Sequence, residues 1–303
     1  MTQICYARAV PKKSISKRPT ISIVGPGNLG TALALKLSAA GYGVKSLAVR
    51  PSGKSNRRAK ALARRIGANL VQIGAEPLNG DIVWITVPDD AISGVARALA
   101  QSGDWKGKTV FHSSGALTSD ELAPLREKGA RVASVHPMMT FVHGAVPQMA
   151  DVAFSLEGDA AAVRAAKSMV TTLGGKPFVI PKQNKVLYHV FGSFASPLVI
   201  ALMATMEQVA QAAGLRKREI KGVMAPLLQQ TLRNYLENDA SAAFSGPLVR
   251  GDVATVRKHL AELSPLPAVR EVYVALARMA VRQLPLRNRE QIAEELRRSS
   301  YSK

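Results

Sequence analysis

Apolar positions along this chain follow two periods, and the change from one to the other divides it. From Thr20 to about Pro181, short runs rich in β-branched residues alternate with longer stretches of helical spacing. That alternation predicts βαβ units on a mainly parallel, doubly wound sheet. Strands are expected at residues 21–24, 44–49, 69–73, 81–87, 109–114, 131–135, 152–156 and 178–180. Helices are expected to about Ala40, over 55–66, from Asp89 or Asp90 as cap to about Ser102, and over 159–173. Thr118-Ser-Asp-Glu121 has the form of a capping box opening a short helix. After Pro181 only the helical period remains, over 182–214, 217–237, 252–262, 266–283 and 289–298, with Pro197 expected to kink or break the first. The expected architecture is an α/β domain at 20–181 followed by an all-α domain at 182–303. Residues 1–19, basic and without periodic apolar pattern, read as a flexible arm, though an acid-free basic leader is also the character of an organellar transit peptide.

The first strand runs straight into Gly25-Pro-Gly27-Asn28-Leu29-Gly30 and then a helix. In that context the three glycines have separate uses. Gly25 permits the turn out of the strand, Gly27 lets backbone approach a pyrophosphate, and Gly30 lets helix and strand pack closely. The phosphates sit at the helix N-terminus, on free N–H groups and the positive dipole end. This makes the first domain a Rossmann-type dinucleotide-binding domain. The second strand ends in Arg50, with Ser52, Lys54, Ser55, Arg57 and Arg58 after it, and no Asp or Glu occurs before Glu76. A ribose 2′-hydroxyl would call for a carboxylate there, whereas a guanidinium with hydroxyls suits a 2′-phosphate, so the cofactor is expected to be NADP, held by Arg50, Ser52 and Arg57.

At 303 residues, 47% of them hydrophobic, the chain can bury two cores. No apolar run is read as approaching the ~20 residues of a bilayer span, so no membrane partner is expected. The single cysteine, Cys5, excludes an intrachain disulfide or a cysteine metal cluster and fits a reducing, cytoplasmic setting. A net charge of +20 raises nucleic acid as a partner. The basic residues are spread along the chain, however, and aromatics make up only 5%, which speaks against a nucleic-acid module.

Ligands in open α/β sheets lie beyond the carboxyl ends of the strands. Three segments fall there: Val87-Pro88-Asp-Asp90, His112-Ser-Ser114-Gly115 and His136-Pro137. Val87 and Pro88 would wall the nicotinamide ribose, with Ser114 near by. His112 and His136 could flank a carbonyl or imine, since neutral imidazole gives or takes a proton near pH 7; a structural hydrogen-bonding role stands equally open for each. On the first helix after Pro181, Lys185 and His189 are four apart and share a face that Ser193 and Ser196 continue, with Tyr188 beside it. This polar stripe lies on a helix otherwise apolar enough to be buried. Asp252, after Gly246-Pro-Leu-Val-Arg250-Gly, is expected to cap the next helix. No HExxH spacing occurs, and no metal site is expected.

Taken together, GPGNLG, TVPDDAI at 86–92, FHSSGAL at 111–117, SVHPMMTF at 134–141, LYH at 187–189 and GPLVRGD with His259 resemble a bacterial family of Rossmann-like proteins carrying an uncharacterised helical C-terminal domain. Its members are described as NADP-dependent oxidoreductases. The wider group includes pyrroline-5-carboxylate reductase, ketopantoate reductase, and the 6-phosphogluconate and β-hydroxyacid dehydrogenases. The resemblance implies hydride transfer to or from a small carbonyl, hydroxyl or imine compound, a helical domain that shapes the substrate site, and homodimers formed through it. The chain departs from the β-hydroxyacid dehydrogenases in having His189 where their catalytic asparagine stands, four residues after Lys185. The candidate acid–base groups are therefore Lys185, His189, His136, His112 and Ser196. The alternative is a non-catalytic NADP-binding regulatory protein with a basic partner-binding surface.

Overall fold

The computed structural model describes residues 18–51, 56–142 and 147–298. The expected basic arm, apart from Arg18 and Pro19, and Ser52, Lys54 and Ser55 lie outside these. The chain separates into two compact units, residues 1–196 and 197–303.

The first unit runs β1 (Ile21–Val24), α1 (Asn28–Ala39), β2 (Val44–Val49), α2 (Asn56–Ile66), β3 (Asn69–Gln72), β4 (Ile82–Ile85), α3 (Asp89–Ala100), β5 (Thr109–His112), α4 (Ala123–Arg126), β6 (Arg131–Pro137), β7 (Ala153–Gly158), α5 (Ala160–Thr172), β8 (Lys176–Val179) and α6 (Lys185–Ala195). The eight strands form one sheet, in the order 3-2-1-4-5-6-7-8. Every neighbouring pair is parallel except β6 with β7, which pair antiparallel from Ala133↔Gly158 to Pro137↔Phe154. The strand order reverses between β1 and β4, the switch point at which such sheets open a crevice.

Successive strand residues point to opposite faces, and the two faces make two cores. Ile21, Ile23, Trp84, Phe111 and Val135 pack with residues of α1, α2 and α5. Val24, Val83, Ile85, Val110 and Val132 pack with residues of α3 and α4. Both faces being covered explains why the strands read as continuous apolar runs.

Local details correct two expectations. Pro88, not Asp89 or Asp90, is the N-cap of α3, and both aspartates lie in its first turn, where they complement the helix dipole. The strand expected over 81–87 stops at Ile85, because Thr86 turns its hydroxyl onto the carbonyl of Gly25, 2.8 Å away. Thr118 does cap the turn that follows it, accepting from the amide of Asp120.

The second unit contains α7 (Pro197–Ala212), α8 (Lys217–Glu237), α9 (Ala240–Ala243), α10 (Pro247–Arg250), α11 (Val253–Glu262), α12 (Pro267–Gln283) and α13 (Arg289–Arg298). Val256, Leu260, Val274, Ala277, Val281, Ile292 and Leu296 form its core. Asp252 caps α11 as expected, accepting from the amide and hydroxyl of Thr255.

The apolar stretch after Pro181 breaks beside Pro197 as expected, at Ser196, which has non-helical backbone (φ −133°, ψ −80°). Two further expectations about it are overturned. Its apolar side chains are not buried: Leu187 is 72% exposed, and Val186, Phe191, Phe194 and Ile200 are exposed as well. Lys182–Ala212 reaches a mean hydropathy of 1.8 and, by length and composition, is apolar enough to cross a membrane. The reading that no run approaches that length does not hold.

Candidate functional site

At the carboxyl end of β1 the glycine turn has the geometry its sequence implies. Gly25 takes φ +80°, a conformation costly for residues with a side chain, and a Cβ there would meet Val87 Cγ1 at 2.5 Å. A Cβ on Gly30 would stand 2.4 Å from Thr86 Oγ1 and 2.8 Å from the Gly25 carbonyl, so α1 packs directly on the turn. A Cβ on Gly27 would meet nothing nearer than 4.0 Å, which leaves its face open to a ligand. Asn28 and Leu29 begin α1, and the Asn28 side-chain amide donates to the carbonyl of Phe141 at 3.0 Å. Gly25 and Gly27 border a groove of about 350 Å³ lined also by Arg50, Thr86, Val87, Pro88 and Asp90 among others. Arg50 stands exposed at the end of β2, and Arg57 is exposed on α2, outside that lining.

A second cluster forms where β5 and β6 end and α6 begins. Lys185 is almost wholly buried, at 1% exposure, and its Nζ donates to the Ser114 carbonyl at 2.8 Å and to Ser134 Oγ at 2.6 Å. Burial lowers its pKa to about 8, against the opposing pull of the Glu157 and Asp89 carboxylates. Glu157 is itself buried and accepts from both the amide and the hydroxyl of Ser119, at 2.8 Å each. Ser114 is engaged on every side: its hydroxyl donates to Asp89 at 2.6 Å and accepts from the amides of Ala116 and Leu117.

His112 is fully buried and its two ring nitrogens are both held by backbone, Nδ1 by the amide of Ser114 and Nε2 by the carbonyl of Thr118. Burial, with the Lys185 charge adding to it, lowers its pKa to about 4. With both ring nitrogens on backbone partners, His112 has the arrangement of the structural hydrogen-bonding role, one of the two readings its sequence leaves open.

His136 differs. Its Nδ1 lies 3.1 Å from the Tyr188 hydroxyl, and the two rings meet edge-on at 5.6 Å. Burial and then the Lys185 and His189 charges lower its pKa to about 4, while burial raises that of the Tyr188 phenol. His189 is exposed on α6, with its ring 6.3 Å from that of His136. Gly115 lies between them: a Cβ there would stand 2.7 Å from His189 Cδ2 and 2.9 Å from His136 Nε2. Only glycine lets both imidazoles converge at this strand end.

The rest of the expected stripe is not part of this convergence. Ser193 donates to the carbonyl of His189 within its own helix, and Ser196 sits at the helix break. Gly115 and Tyr188, named in the sequence beside these groups, enter the cluster, and so does Ser134, which was not singled out. Ser134 and His136 share a face of β6 by the two-residue period, the one signal that was available. Among the described residues no group of three or more His, Cys, Asp or Glu side chains could hold a metal.

A doubly wound sheet with a glycine turn at its switch point, joined to a helical region, defines a Rossmann-type nucleotide-binding α/β protein with a helical appendage. Residues 10–137 match the Rossmann-like domain family, and residues 152–280 match the domain of unknown function DUF2520. The chain thus matches both models in turn, and the DUF2520 match begins within the sheet, just before β7. No curated protein sequence matches the chain. Its structure resembles protein TM1727 from Thermotoga maritima (25% identity over 91% of this chain and 99% of that one, TM-score 0.69). It also resembles a reductive aminase from Aspergillus terreus in complex with NADPH4, cyclohexanone and allyl amine (18% identity, 92% and 99% covered, TM-score 0.62). An imine reductase from Myxococcus stipitatus in complex with NADP+ is similar too (20% identity, 87% and 94% covered, TM-score 0.61). At these identities the likeness to the two enzymes is one of fold.

Proposed function

We propose that this chain is an NADP(H)-dependent oxidoreductase acting on a small carbonyl, hydroxyl or imine compound. The observation that carries the reading is the groove at the ends of β1 and β2, open at Gly27, bordered by Arg50, and without a carboxylate at the end of β2. Gly25, Gly27 and the first amides of α1, at Asn28, Leu29 and Gly30, would hold the pyrophosphate. Arg50, with Ser52 and Arg57, would take the 2′-phosphate. Val87 and Pro88 would border the nicotinamide ribose, and Ser114 acts through the backbone it fixes. Fold likeness to proteins solved with NADPH4 and NADP+ supports this cofactor.

Bound NADP(H) supplies or accepts the hydride. The chain's own part is to orient the substrate and manage one proton. His136 and His189 face each other across Gly115, and a substrate carbonyl or imine between them would be polarised by a neutral imidazole. His189, exposed to solvent, exchanges the proton with water. Lys185 acts from beneath, fixing the Ser114 carbonyl and Ser134 rather than reaching the substrate.

We read the helical region as the substrate and dimerisation domain of a cytoplasmic homodimer. Leu227, Leu232 and Leu236 on α8 expose apolar side chains, at 66%, 58% and 72%, which a second copy would cover. The same region holds an apolar cavity of about 390 Å³ next to His259 and Tyr273. Sedimentation at twice the 32.3 kDa chain mass is the expected result, and a monomer at micromolar concentration would overturn it.

The test of the main reading is titration with NADPH and NADH, followed by tryptophan fluorescence; Trp84 and Trp105 both lie in the first unit. Tight NADPH binding and weaker NADH binding are expected, and binding of neither would refute it. One observation favours the non-catalytic alternative: Lys185, His112 and Ser193 all have internal partners. NADPH binding with no turnover of any ketone, keto acid or imine would make that the better account.

A further inference from the structure

The pairing of Tyr188 with His136 has a chemical consequence for the candidate site. A neutral imidazole carries one proton on two nitrogens, and the nitrogen it leaves bare is fixed by whatever donates to it. At His136 the partner of Nδ1 is a phenol, 3.1 Å away. Phenolic O–H is the stronger donor of the two groups and the bare imidazole nitrogen the stronger acceptor, so the bond runs from Tyr188 Oη–H to His136 Nδ1. The proton of His136 then resides on Nε2. That atom is the one that faces Gly115, 2.9 Å from where a side chain would begin, with His189 on the other side.

We propose that Tyr188 is a positioning residue that locks His136 in the Nε2–H tautomer, making it a neutral hydrogen-bond donor aimed at the substrate oxygen or nitrogen. The tautomer assignment stands on the 3.1 Å contact together with the donor strength of a phenol, and its use on a substrate rests on the oxidoreductase reading above. The electrostatic surroundings agree. Lys185 from α6, His112 from β5 and His189 from α6 all disfavour a charge on the ring, and burial does so most. Burial also keeps the proton on the phenol, against the opposing pull of the Ser155 hydroxyl. Both partners are therefore neutral, and the site presents a donor without the cost of a buried cation. A triad of this kind, in which a third group orients the imidazole, is a familiar arrangement for controlling a ring nitrogen. The difference here is that the orienting group donates rather than accepts, which reverses the tautomer.

The experiment reads the tautomer directly. The full-length protein is labelled with 15N-histidine, and its two-bond nitrogen–proton correlation spectrum is recorded at pH 7, with His136→Gln to assign the signal. A single neutral form with the proton on Nε2 is expected in the wild type. Tyr188→Phe keeps the ring packed against Phe178 and His136 but removes the hydroxyl. It should lose the single-tautomer signature and give a mixture, with NADPH affinity unchanged. A wild-type proton on Nδ1, a cationic His136 at pH 7, or an unchanged spectrum in Tyr188→Phe would each overturn the proposal. Should NADPH fail to bind while the tautomer is as expected, the oxidoreductase reading falls and the positioning role of Tyr188 does not.

Discussion

Replacing Lys185 with Met isolates the energetics of the buried cluster. In the native protein Nζ is almost wholly covered, and its pKa is lowered from 10.5 to about 8 by burial. At about 1.36 kcal/mol per unit this is roughly 3 kcal/mol of cost in holding the ammonium charged inside the fold. Below pH 8 the amine is protonated in both folded and unfolded chains, so the whole cost is present. Above 10.5 it is neutral in both, and the cost is gone. Between these values the unfolded chain binds the proton and the folded one does not, so this group makes stability rise with pH. A net charge of +20 adds its own pH dependence through self-repulsion, but that part is nearly common to wild type and variant. Methionine fills most of the volume, and the Ser114 carbonyl keeps Ser134 Oγ as a donor at 3.1 Å. Urea unfolding followed by tryptophan fluorescence reports the first unit, where both tryptophans lie. The wild-type stability relative to Lys185→Met should increase between pH 8 and 10 by ~2 kcal/mol of the ~3 kcal/mol total. A difference that stays constant across that range would refute the assignment of a burial-depressed lysine.

Three other substitutions test separate links. Arg50→Asp should weaken NADPH by about 10- to 100-fold, the range of a charged hydrogen-bonded pair, and NADH far less; equal loss of both would remove the 2′-phosphate role. Gly30→Val should lower the melting temperature through ~1–3 kcal/mol of overpacking against Thr86 and Gly25, and an unchanged melt would contradict the close approach. Asp252→Ala should cost about 1 kcal/mol in the helical unit by removing the α11 cap, measured by helix-monitored thermal unfolding; no loss would mean the cap is replaced by water.

The sheet and its order of elements were legible because their determinants are local: β-branched runs, helical spacing, and glycines at turns. Errors cluster where a long-range contact decides. The strand at 82–85 ends early because Thr86 is drawn to Gly25, a partner 61 residues away that no window around Asp81 contains. His112 and His136 are both imidazoles at strand ends, and sequence could not separate them. The structure does, since one has backbone on both nitrogens and the other has a tyrosine on one. Lys185 meets Ser114 and Ser134 across 71 and 51 residues, so its burial was invisible to helical periodicity. The exposed apolar face after Pro181 was misread for a related reason. Apolarity measures the tendency to leave water, and says nothing of whether the covering surface belongs to the same chain.

The polar groups of the candidate site fall into two layers with different physics. In the inner layer, His112, Ser114, Ser134, Lys185 and Glu157 are buried, and each has partners within the chain. Such a network is stable only when complete, because each unpaired member would carry a desolvation cost of ~1–3 kcal/mol. Completeness also makes it rigid, and rigidity is what fixes the ends of β5 and β6. The outer layer, His136 and His189 around Gly115, keeps polar atoms that have no partner among the described residues. A site that must bind something needs this incompleteness, and it can be tolerated at the surface because water substitutes for the ligand. Catalytic groups are therefore to be sought first among the residues whose hydrogen bonding the fold leaves unfinished, His136 and His189.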